Sequence, residues 1–170
     1  MATTDNFSMN APSRMAMRWF LFACIGLLIE VFFTGFGNLA GGNISAISKT
    51  SPWMMLDYGI LGVAVWPIAT ALKARGVPLV GRAFVYMLGI FFIEWVSGLA
   101  FNAVGIRIWD YSHHHIVVGG REIPMHLHGQ ITAFYAPCWF VLGLFVEWLH
   151  KHVDAIAVYL LKGKLPEQPL

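Results

Sequence analysis

Charge is what this sequence has least of. Only 12% of its 170 residues are charged, while 58% are hydrophobic, against about 25% charged in a soluble domain. So little polar surface excludes a water-soluble globular chain of this length. The formal net charge is +2, too small an excess to mark nucleic acid as a partner. Cysteine is also scarce. Cys24 and Cys138 both fall in apolar stretches, which excludes a disulfide framework and reads each as a small buried hydrophobe. No Gly-rich Walker A loop occurs, so nothing is present to cradle the phosphates of ATP.

What the sequence does have is long apolar runs. Four stand out, at about 15–37, 53–73, 79–103 and 129–152, each near the ~20 residues that a membrane-spanning helix needs. The first run is too long, and too polar at Glu30, for a cleavable signal segment. Gly35, Gly37 and Asn38 close it, and a Gly/Ser-rich loop leads to Pro52, which suits the first turn of the second span. Pro67 predicts a kink in that span. The short charged turn from Lys73 to Pro78 joins spans two and three as an antiparallel hairpin. The fold class expected is all-α and integral to the membrane: a four-transmembrane-helix bundle between a cytoplasmic tail (1–14) and a cytoplasmic amphipathic segment and tail (153–170). Asp154–Leu161 is too short to span and is expected along the membrane surface.

Orientation follows from the basic residues. With four spans, the two termini and the 73–82 turn share one side, carrying Arg14, Arg18, Lys73, Arg75, Arg82, Lys151, Lys162 and Lys164. The other side holds only Lys49, Arg107 and Arg121. The positive-inside rule puts the first group in the cytoplasm. The outer loop, 104–128, then faces a periplasm or lumen.

Two spans resemble each other. Arg18 stands twelve residues before Glu30 and Arg82 twelve before Glu94, with Gly35 and Gly98 following. This pattern suggests a duplicated helical hairpin, a parallel repeat about an axis along the membrane normal. Glu30 and Glu94 each lie about 22 Å from the cytoplasmic start of their span. A carboxylate at that depth must be protonated, paired or facing water. Two such groups held close would share a proton, or hold a cation together, with Asp57 joining from above. The alternative is that each bonds a polar side chain on a neighbouring helix. Glu147 and His150 form a single Glu-x-x-His pair, where di-iron bundles need two. His150 and His152 are instead expected to decorate the cytoplasmic helix end, where their charge suits the dipole.

Five of the seven histidines crowd the outer loop: His113, His114, His115, His126 and His128. In extended chain, alternate residues point the same way, which pairs His113 with His115 and His126 with His128 as metal ligands. Imidazole suits zinc and copper, and Met125 adds a soft donor that favours copper. A transition metal, copper or zinc, is therefore the cofactor this loop suggests. The other reading is a wet polar segment. Nearby, Trp109 and Tyr111 suit an interfacial aromatic belt, and Asp110 either closes a turn or pairs with Arg107.

Trp109-Asp110-Tyr111-Ser112, the Ile123-Pro124 segment entering Gly129, the helices of Glu30 and Glu94, and Tyr135 to Glu147 together resemble the transmembrane protein 229 family. Its bacterial members are often labelled type IV ABC transporters. The likeness runs from about Arg18 to His150 and implies a small four-span membrane protein, without implying a mechanism. Two features depart from the pattern: His126 stands where the family tends to have Asn, and the run His113-His114-His115 is additional. Three functions compete on these residues. The first is an accessory subunit that packs against other membrane subunits or a second copy in the lipid bilayer. The second is an intramembrane enzyme acting on a lipid or quinone-like substrate, with Glu30, Glu94 and Asp110 as catalytic candidates. The third is a metal or proton conduit.

Overall fold

The computed structural model describes residues 8–163. Most of the amino-terminal tail (1–7) and the carboxy-terminal 164–170 lie outside the described residues. Among the described residues, four helices are long and apolar enough to cross a membrane. They are α1 (Pro12–Ala40), α2 (Met54–Ala74), α3 (Leu79–Ala103) and α4 (Ala136–Lys162). Cys24 and Cys138 are exposed rather than buried. Composition does not say which face packs inward when a helix is apolar all round.

Contacts divide the chain into two compact units, one built from residues 8–68 and 147–163 and the other from Ala69–Val146. In the first unit, α1 opens at Pro12, whose missing N–H falls where the first turn has no acceptor to lose. Arg14, Arg18 and Phe22 recur at every fourth residue and are buried, so one stripe of α1 faces inward. A Cβ on Gly62 of α2 would lie 2.6 Å from the Arg18 carbonyl oxygen. Only glycine lets the two backbones approach that closely. α4 continues unbroken through Asp154–Leu161, so this stretch is the end of a long helix and not a separate surface segment. Its apolar residues bury Val153, Ala157 and Val158, and that packing continues the helix past the expected end of the span.

In the second unit, α3 buries Ala83, Met87, Ile90, Glu94 and Gly98, again a single helical stripe. The 104–128 loop is not irregular. Strand β1 (His115–Val118) pairs antiparallel with β2 (Arg121–Pro124), placing His115 opposite Pro124 and Val118 opposite Arg121. Gly119 and Gly120, at φ +59° and +77°, make the two-residue turn that matches strand twist best. A second ladder pairs β3 (His126–Leu127) with β4 (Ile131–Thr132), and a 3-10 turn at Ala133–Tyr135 leads into α4. The fourth helix thus starts at Ala136 rather than at 129. Seven residues that read as apolar span are the strand, the turn and the 3-10 entry instead.

Candidate functional site

The histidine segment does not hang in solvent. Strand β4 packs against α3, and the Trp95 indole N–H donates to His128 Nδ1 at 3.1 Å with the two rings stacked. Three residues on, a Cβ at Gly98 would overlap the Gln130 side-chain oxygen. Gln130 is buried, and its backbone carbonyl accepts from the Trp109 indole at 2.7 Å. Tyr111 N–H donates to the Gly129 carbonyl at 2.8 Å. Trp95, Trp109 and Tyr111 therefore hold the 128–130 turn against α3. Trp95 is eight residues from the end of α3, about 12 Å along the helix axis. The segment folds back alongside the helix rather than standing beyond it.

Each histidine has a distinct place. His128 has φ +53°, an uncommon left-handed backbone for a non-glycine residue. The extended alternation that would set it beside His126 ends at Leu127. His126 Nδ1 accepts from the Gly129 N–H at 3.1 Å, a bond that an Asn side-chain oxygen at this position would also make. His114 Nδ1 lies 2.9 Å from the Thr132 hydroxyl, which spends its one proton on the Met125 carbonyl at 3.1 Å. His114 Nδ1 must then be the protonated nitrogen. Burial lowers the pKa of His114 below its ordinary value, and the charges of His113 and His126 push it the same way. His113 packs edge-on against His114. His115, exposed on the hairpin, is 3.7 Å from Glu122.

These bonds set the tautomers. Indole and peptide N–H groups only donate, so Nδ1 of both His126 and His128 is the bare nitrogen. The ring proton then sits on Nε2. A metal-bound imidazole does the reverse, offering its second ring N–H to an acceptor. Among the described residues, no three His, Cys, Asp or Glu side chains gather as a metal-holding group. His113, His115, His126 and His128 are therefore neighbours in sequence that the fold does not bring to one point.

Each carboxylate has its own local setting. Glu30 Oε2 accepts from the Thr50 hydroxyl at 2.6 Å and the Tyr58 hydroxyl at 3.0 Å. Asp57 is buried in the first turn of α2. Glu94 lies on the buried stripe of α3, only 8% exposed. Glu30 and Glu94 belong to different units. Asp110 closes its turn by accepting from the Ser112 N–H at 2.9 Å and pairs with Arg107. The Ser112 backbone and hydroxyl bonds hold its carboxyl below the usual range, with Arg107 and His113 adding to the effect. A carboxylate stabilised that way is a poor proton carrier near neutral pH.

The structure also holds a polar cluster that the sequence reading scattered. Asp154 receives Arg14 on both carboxylate oxygens and Arg18 at 3.0 Å on one of them. Arg18 also donates to the Met9 carbonyl at 2.9 Å. His150 lies one turn before Asp154, against the Phe22 ring and hydrogen-bonded to the Gly62 backbone. All four polar residues are buried, Arg18 and Asp154 to 1% exposure. His150 is therefore an interior residue, not a decoration of the helix end, because α4 runs twelve residues beyond it. The spacing Arg14/Arg18 on one helix and His150/Asp154 on the other was the available signal. Each pair is four apart, and the charges complement.

No family model matches the chain, and no solved structure matches it.

Proposed function

We propose that this chain is a small integral membrane protein of four spans with both ends in the cytoplasm. It acts as an accessory subunit, packing against other membrane-embedded chains or a second copy of itself. The observation that carries this reading is shallow burial: within the apolar window of each candidate span, only 17–28% of residues are buried inside the chain. Most of each helix is left to lipid or to other helices. Phe32, Phe33 and Phe36 form an exposed aromatic row on α1, and Phe84 and Phe92 do the same on α3. Large apolar patches of this kind mark interaction surfaces. The bonds around Glu30 and Asp110 support the same reading, since each holds a turn or a loop in place. The excess of Arg and Lys on one side supports the orientation, and the family resemblance agrees with the span count.

The test is the protein mass in a mild detergent, measured by light scattering with the detergent contribution subtracted. A stable assembly heavier than the 19.0 kDa chain is expected. A monodisperse single chain, with no crosslinked partner in native membranes, would contradict the proposal.

A further inference from the structure

We propose that the histidine segment is a binding site for a membrane-soluble cyclic carbonyl compound of the quinone type. Its carbonyl oxygen accepts from the Nε2–H of His126, and its ring sits against Phe91. The proposal rests on the reading that α3 spans a membrane, but not on the accessory-subunit role.

A cleft of about 370 Å³ lies between α3 and the segment, walled by Phe91, Met125, His126, Leu127, Ile131 and Thr132. That volume is at the small end of ligand sites, which run from about 300 to 1,000 Å³. It takes one ring and a short chain. Its walls are apolar apart from His126 and Thr132, and those two decide what the ligand must bring. The Thr132 hydroxyl proton is committed to the Met125 carbonyl, and its oxygen already faces His114. His126 accepts at Nδ1, so Nε2 carries the proton, and among the described residues no hydrogen bond is made there. The cleft thus offers a donor and asks for an acceptor. A quinone carbonyl accepts and has nothing to donate.

Depth selects among acceptors. α3 has 25 residues, about 37 Å, and overhangs a ~30 Å hydrocarbon layer by about 4 Å at each end. Trp95, which holds His128, is then about 8 Å below the outer boundary, and Phe91 about 14 Å below it. An N–H without an acceptor is costly in hydrocarbon. Lipid ester carbonyls sit in the interfacial layer above this level, whereas a quinone ring dissolves in the hydrocarbon itself.

The experiment uses the full chain in nanodiscs of synthetic phosphatidylcholine, titrated with a decyl-substituted dimethoxy-methyl-benzoquinone. Tryptophan quenching and the infrared carbonyl band are the readouts. Saturable binding with a lowered carbonyl frequency is expected. Affinity should fall at least about tenfold in His126→Phe and largely survive in His126→Gln, which can restore an N–H donor. Ala133 also lines the cleft, so Ala133→Phe fills it without touching these bonds and should also abolish binding, which covers a folding defect in His126→Phe. Three results would overturn the site: no saturable binding, binding indifferent to both variants, or displacement by added phosphatidylglycerol but not by a second quinone. Carbonate-washed membranes separate the two failures. Release of the chain defeats the spanning reading itself, whereas retention without quinone binding defeats only this site.

Discussion

Arg14, Arg18, His150 and Asp154 make one polar cluster of this chain, and His114, His126 and His128 organise another, finished in the opposite way. The first is sealed. Its carboxylate takes both guanidinium groups, and the Arg18 Nε and His150 Nε2 atoms that stay without a bond are wholly buried. The second is open: every imidazole is fixed through Nδ1, while His126 faces a cleft and His128 is exposed. A sealed ionic cluster serves the fold.

The largest effect that would break this comparison is expected at Asp154. Asp154→Ala leaves two guanidinium groups buried without their carboxylate, a loss on the order of 3–5 kcal/mol. Denaturant unfolding in detergent reads it directly. The triple change Arg14→Met, Arg18→Met, Asp154→Leu should recover most of that loss, because a well-packed apolar substitute avoids the desolvation cost. If the triple variant is as unstable as the single one, the cluster does more than hold helices.

A smaller effect is expected at Gly98. Gly98→Ala drives a methyl group into the Gln130 side chain and toward the Trp109 ring, at about 1–3 kcal/mol. Hydrogen exchange should show the loosening between residues 109 and 135, with amides around Arg18 and Asp154 unchanged. Equal loosening of both regions would erase the distinction between sealed and open clusters.

The smallest effect is a pH dependence from His114. Its folded pKa is depressed by burial, so the unfolded chain takes up the proton more readily. The contribution is complete above the unfolded value of about 6.5 and is lost as pH falls below it. Protease protection of residues 109–135 should weaken between about pH 7.5 and about pH 5. In His114→Gln that part of the dependence should vanish.

Much of the fold was legible in the sequence because hydropathy reports a span directly, whatever its partners. Three of the four helices fall where apolar runs of about 20 residues put them, and the fourth begins seven residues later and runs on to Lys162. Partners were not legible. Arg14 and Arg18 read only as charges on the cytoplasmic side, and Asp154 as part of a surface segment, because their four-residue spacing does not say which helix, 140 residues away, supplies the partner. The histidine pairing failed for a different reason. Strand alternation assumes extended backbone, and His128 adopts φ +53° to meet Trp95. Gly119-Gly120 between two short β-branched stretches is a hairpin cue that the reading of 104–128 as a loop passed over.

His114, His126 and His128 are each fixed through Nδ1 in the segment that packs on α3. Nitrogen-15 spectroscopy of histidine-labelled protein in nanodiscs tests it most directly, with His126→Gln, His128→Gln and His114→Gln assigning the signals. Nε2–H tautomers are expected at His126 and His128 and the Nδ1–H tautomer at His114. Nδ1–H tautomers at His126 and His128, the form a metal ligand takes, would contradict it.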